Sequence, residues 1–109
     1  MNRSYNSAIR KSKAPKKPEK VMNIVSHLLI GVRKEYPTKY MANRLNQYGV
    51  PTLMSRRWTP YSLQMQLLKM HRMDTNSSLA WGLSEALRTG EASQEDINLL
   101  ATRVNHWLH

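Results

Sequence analysis

Between Arg56 and Arg72 the chain carries the side-chain types that read nucleic acids. Gln64 offers an amide that can make two hydrogen bonds to one adenine edge. Ser62, two residues earlier, offers a hydroxyl for a base or a phosphate. Tyr61 and Met65 offer apolar surface to a thymine methyl group. Arg56, Arg57, Lys69 and Arg72, with Lys39 and Arg44 upstream, offer cations to phosphates, although each also suits a plain solvated role. With about 100° per helical residue, Tyr61, Met65, Leu68 and Arg72 share one side of a helix. Leu63, Leu67 and Met70 lie opposite, and Ser62, Gln64 and Lys69 flank. The alternative packs Met65 and Leu68 beneath later helices and leaves Ser62, Gln66 and Lys69 free. Periodicity does not decide between the two.

Other chemistry lacks its parts. There is no G-x-x-x-x-G-K-[ST], no G-x-G-x-x-G and no H-E-x-x-H. No pair of carboxylates sits near the basic segment, so acid–base catalysis is not expected. His106 and His109 stand at i, i+3 without a further ligand nearby, so neither a metal nor another cofactor is expected. The absence of cysteine excludes disulfides, thiolate nucleophiles and thiolate-bound zinc. It suits a reducing compartment, and the expected location is the cytoplasm, at the nucleoid. The longest apolar run, Leu28-Leu29-Ile30, falls far short of the ~18 residues of a membrane span. The basic N-terminus has no hydrophobic stretch of a secretory signal, and Pro15 and Pro18 interrupt any mitochondrial presequence.

Charge is unevenly spread over the 109 residues, which carry 17 Lys+Arg against 7 Asp+Glu, a net of +10. Residues 1–20 have a net of +6, residues 21–73 a net of +7, and residues 74–109 a net of −3. The basic part suits a polyanion and the acidic end suits protein. Residues 1–18 read as a disordered arm, too poor in apolar side chains to offset chain entropy. There Arg3, Arg10, Lys11, Lys13, Lys16 and Lys17 either solubilise the chain or grip phosphates by releasing counterions.

The elements that must position these groups are helical. Val21, Ile24, Val25, Leu28, Leu29 and Val32 mark one apolar face, with Pro18 in the first turn and Pro37 beyond the end. His27 lies off that stripe and reads as an ordinary boundary residue. Thr38 is placed to cap a short second helix with Met41, Ala42 and Leu45 inward and Gly49 just past its end. Thr59-Pro60 opens a third helix to about Arg72. Residues 74–78 offer several caps for a fourth, carrying Leu79, Leu83, Ala86 and Leu87 and ending near Gly90. Ser93 and Asp96 form a capping-box-like start for a fifth, with Ile97, Leu100, Ala101, Val104 and Leu108 inward. The short link at 89–93 predicts that the last two helices form an antiparallel pair. Trp81 and Trp107 read as packing residues. No strand is expected. The predicted fold is all-α: a basic arm (1–18), a helix-turn-helix domain (19–73) and a C-terminal helix pair (74–109).

The most informative spacing is Ala42-x-x-Leu45-Asn46-x-x-Gly49-Val50-Pro51-Thr52, five residues, then Trp58-Thr59, with Leu63 and Leu67 following. A short helix, a glycine–proline stop, a basic connector and a capped second helix make a helix-turn-helix with a long turn. Trp58 would staple the second helix at a set angle. These residues resemble the recombinase-type helix-turn-helix that follows the catalytic domain of large serine recombinases, over about residues 38–70. The resemblance implies a DNA-binding unit of bacterial or phage type. The 37 residues before it are too few for a catalytic serine domain, so strand exchange is not implied. Gln64, Met65 and Gln66 stand where those recombinases often carry arginines and an apolar residue, so the DNA sequence preference would differ.

The leading expectation is a sequence-specific regulator of transcription that is not an enzyme and binds double-stranded DNA. Its C-terminal helices would contact another protein or a second copy, making a homodimer. A second reading is an antiterminator loaded from DNA onto RNA polymerase. A recombination accessory factor and an RNA-binding protein are further alternatives.

Overall fold

Pro18 opens the first helix, where its fixed φ and missing N–H cost nothing. In the computed structural model, which describes residues 14–74 and 76–108, this helix is α1, Pro18–Arg33. It is followed by α2 (Thr38–Gln47), α3 (Pro60–Arg72), α4 (Ser78–Thr89) and α5 (Gln94–Leu108). No strand occurs among the described residues. Arg3, Arg10, Lys11 and Lys13 lie outside them, as does His109, whereas Lys16 and Lys17 are exposed just before α1.

Local chemistry explains most boundaries. Thr59 caps α3 by accepting the Ser62 N–H at 3.1 Å, while the Ser62 hydroxyl accepts the Thr59 N–H at 2.9 Å. Ser77 is the residue that caps α4, accepting the Ala80 N–H. Gly90 closes that helix in the left-handed region, at φ 86°. The expectation for α2 fails at its start. Pro37, not Thr38, occupies the cap position, and no side chain caps the helix. Proline at residue 37 already directs the chain into the turn, so Thr38 enters with helical geometry and its own N–H inside the first turn.

One core draws on all five helices. Ile24, Leu28, Leu63, Leu67, Met70, Leu79, Leu83 and Leu100 are among its fully buried side chains. Each contributes about 1.5–3 kcal/mol through removal from water. α1 packs on α4 and α5, and α3 packs on α2, α4 and α5. The expected antiparallel pair is therefore corrected: α4 and α5 make little contact with each other. Their apolar stripes both face α1 and α3, so the short link only turns the chain. Leu79, Leu83, Ala86, Ala92, Leu100 and Val104 of the C-terminal part belong to this same core. Leu108, expected inward, is 62% exposed because the core ends at Val104. Trp81 and Trp107 pack half-buried against the core, as expected of packing residues.

Two contacts fix the helices' placement. Gly82 of α4 meets α1 so closely that an added Cβ would lie 2.7 Å from Val25 Cγ2 and 2.8 Å from Val21 Cγ1. At the other end of α1, Arg33 grips Asp96 with two parallel hydrogen bonds, 2.7 and 2.8 Å, and donates to the Glu91 carbonyl at 2.7 Å. Asp96 is buried and also accepts the Ser93 N–H at 2.8 Å, completing the predicted capping box of α5. The Arg33 hydrogen bond, aided by Ser93, holds the Asp96 carboxyl below the usual carboxylate range despite its burial.

Candidate nucleic-acid interface

The turn between α2 and α3 is built by the spaced residues of the sequence motif. α2 ends in a Schellman arrangement. The Gly49 N–H donates to the Asn46 carbonyl at 3.1 Å and the Val50 N–H to the Leu45 carbonyl at 3.0 Å. Gly49 has φ +70°, which disfavours any side chain there. Asn46 then reaches across the connector to Trp58. Its Nδ2 donates to the Trp58 carbonyl at 3.0 Å, and its Oδ1 accepts the Trp58 N–H at 2.8 Å. Trp58 is 3% exposed, and its indole N–H donates to the Val50 carbonyl at 2.8 Å. Every element of Leu45-Asn46-x-x-Gly49-Val50 and Trp58-Thr59 thus has a structural role. The sequence shows the spacing but not the Asn46 clamp, because side-chain-to-backbone partners leave no periodic signal.

The connector is itself a tight turn. Thr52 is buried, its N–H donates to the Arg56 carbonyl at 2.9 Å, and its hydroxyl accepts the Arg56 N–H at 3.1 Å. Ser55 takes a left-handed φ of 60° within it. Lys20 of α1 donates to Ser55 Oγ at 3.1 Å and ties the turn to the body. Arg56 and Arg57 leave this turn exposed, and no carboxylate pairs with either among the described residues.

On α3 the buried face is Leu63, Leu67 and Met70. Tyr61 is 72% exposed, and Lys69 and Arg72 are exposed one turn apart. Gln64, Met65 and Leu68 are half-buried, with Leu68 packed on the core. The arrangement falls between the two alternatives: Leu68 packs, while Tyr61, Lys69 and Arg72 face out. Ser62 has its hydroxyl engaged in the α3 cap. Gln66 turns inward, and its Oε1 is buried without a partner among the described residues. It lines a cleft of about 310 Å3 with Lys69, Arg72, Ser77 and Ser78.

Two upstream cations separate. Lys39 is exposed at the start of α2. Arg44 is held instead by aromatic rings, with its guanidinium carbon 5.4, 5.5 and 5.0 Å from the centroids of Tyr36, Tyr40 and Tyr48. It also donates to the Tyr48 hydroxyl at 2.6 Å. This cluster lies along the side of α2 away from Asn46. His27 borders it, its ring 5.7 Å from Tyr48, and burial together with the Arg44 charge holds its pKa below the ordinary histidine value. Arg44 is thus committed to neighbouring tyrosines, Tyr40 on α2 and Tyr36 and Tyr48 beside its two ends.

Among the described residues no three His, Cys, Asp or Glu side chains could hold a metal ion together. No described helix is long and apolar enough to cross a membrane. No protein-family model, no curated protein and no solved structure matches the chain.

Proposed function

We propose that this protein is a sequence-specific, DNA-binding regulator of transcription that lays the outer side of α3 in a major groove. The observation that carries this reading is the Asn46–Trp58 clamp. It fixes α3 on α2 while Tyr61, Lys69 and Arg72 face out and Arg56 and Arg57 leave the adjoining turn. A helix-turn-helix needs that combination: a rigid angle, readable side chains and flanking cations for phosphates.

Roles follow by chemistry. Gln64, Tyr61 and Met65 face base edges, with Gln64 choosing adenine. Arg56, Arg57, Lys39, Lys69 and Arg72 grip phosphates without regard to sequence. The basic residues of the N-terminal segment add to that grip. The test is selection from a pool of randomised duplexes at moderate salt. A single enriched motif is the expected result, with Gln64→Ala relaxing the preference at one base pair by about 1–3 kcal/mol. A pool that stays random overturns the proposal.

A further inference from the structure

A groove of about 470 Å3 opens where the end of α1 and the start of α2 meet α5. Val32, Leu99 and Trp107 give it apolar wall, and Glu35, Thr38, Arg103 and His106 are among its polar lining. Arg103 is the unusual member. Arg44, the other half-buried arginine among the described residues, takes three tyrosines, and even the more exposed Arg33 and Arg88 pair with Asp96 and Glu85. Arg103 is half-buried, and its hydrogen bond among the described residues is from Nη1 to Met41 Sδ, 3.1 Å. A thioether is a weak acceptor for a group with five N–H donors. Burying a guanidinium on so poor a partner is costly unless an anion joins it. Burial accordingly pulls the Arg103 pKa below the ordinary arginine value, although nearby Glu35 acts in the opposite sense. Glu35 lines the same groove but forms no ion pair with Arg103.

We infer that this groove binds a small organic monoanion, its carboxylate seated on Arg103 and its flat apolar body lying against Trp107 and Leu99. The planar fork of a guanidinium matches a carboxylate. The volume lies within the ~300–1,000 Å3 typical of small-molecule sites, and the mixture of apolar wall and one convergent charge is typical too. Glu35 on the lining repels any anion, but a dianion such as phosphate about twice as strongly as a monoanion. Thr38 adds a hydroxyl at the start of a helix that no side chain caps, an end that favours negative charge. Ligand binding here stands whether or not the protein reads DNA.

The test is a nitrogen-15 titration of the full chain with benzoate and with phenylacetate. Benzyl alcohol serves as the neutral analogue and inorganic phosphate as the dianion. Saturable shifts at the Trp107 indole and Arg103 Nε are expected, with a carboxylate binding tighter than either control by about tenfold or more. Arg103→Met should abolish saturation while the melting temperature holds or rises, because an ill-partnered buried charge has been removed. Arg103→Lys should weaken binding, since it keeps the charge and loses the fork. No saturable shift with either carboxylate at millimolar concentration overturns the inference, as does equal binding of benzyl alcohol. The comparison with the neutral analogue needs no variant, so it decides the matter even if Arg103→Met fails to fold.

Discussion

Asn46 holds both backbone polar groups of Trp58 with one side chain, twelve residues along the sequence, at 3.0 and 2.8 Å. Neither group lies in a helix ladder, so no other backbone group is placed to take over. Asn46→Ala should therefore destabilise the protein by about 1–3 kcal/mol. Asn46→Asp should fail to rescue it, because a carboxylate can accept from the Trp58 N–H but would face the Trp58 carbonyl without a donor. Urea unfolding of the three proteins measures both. Equal midpoints would mean that the clamp contributes nothing.

The Arg33–Asp96 pair gives a pH dependence of known sign. The folded-state pKa of Asp96 is depressed, first by Arg33. Its contribution is thus full above the unfolded value of about 4 and is lost as pH falls through the lower folded value. Asp96→Asn should cost stability at neutral pH, and the gap from the parent should close in acid. Urea midpoints at neutral pH and well below the carboxylate range check this. A gap independent of pH would contradict it.

Gly82 and Gly31 should respond differently to alanine. At Gly82 the new methyl would meet Val25 Cγ2 and Val21 Cγ1, stiff β-branched side chains close to the α1 backbone. Gly82→Ala should cost about 1–3 kcal/mol by overpacking. At Gly31 the new methyl would lie 2.5 Å from Met41 Cε and 2.9 Å from Met41 Cγ, atoms of a single unbranched side chain. Gly31→Ala should cost less, because the unbranched Met41 side chain can shift where two stiff ones cannot; the helix-propensity gain of about 1 kcal/mol is common to both sites. Thermal melting of the two variants settles the order.

Arg56 and Arg57 should act on affinity without acting on the fold. Both side chains are exposed and unpaired among the described residues. Replacing both by alanine should lower the slope of log affinity against log salt by about 2 and weaken all duplexes alike. Folding stability should shift by no more than about 0.5 kcal/mol. Binding isotherms at several salt concentrations, beside a urea melt, provide both readings.

Much of this architecture is legible in the amino-acid sequence, and the reasons are local. Thr59-Pro60, Gly49, Gly90 and Ser93 act within one turn of themselves, so their positions announce helix ends. The buried positions Leu63, Leu67 and Met70 recur with helical period. What escapes is non-local. Arg33 and Asp96 are far apart in sequence, and each already has a sufficient local role at a helix end. The tyrosines around Arg44 recur every four residues about it, yet charge alone marks Arg44 as a phosphate contact. The short link at 89–93 reads as a pairing turn, because sequence does not reveal that α1 and α3 present better apolar surface. Met73 closes α3 in the left-handed region without a glycine to signal it.

The most direct measurement uses the absence of cysteine. A DNA-cleaving reagent tethered through Tyr61→Cys, in the outer side of α3, marks where that side lies on a selected duplex. A control carries it through Gln94→Cys, at the start of α5. Cleavage from residue 61 confined to the bases flanking one major groove, with little from residue 94, is the predicted result. Equal or absent cleavage from residue 61 in a complex that still forms would contradict the account.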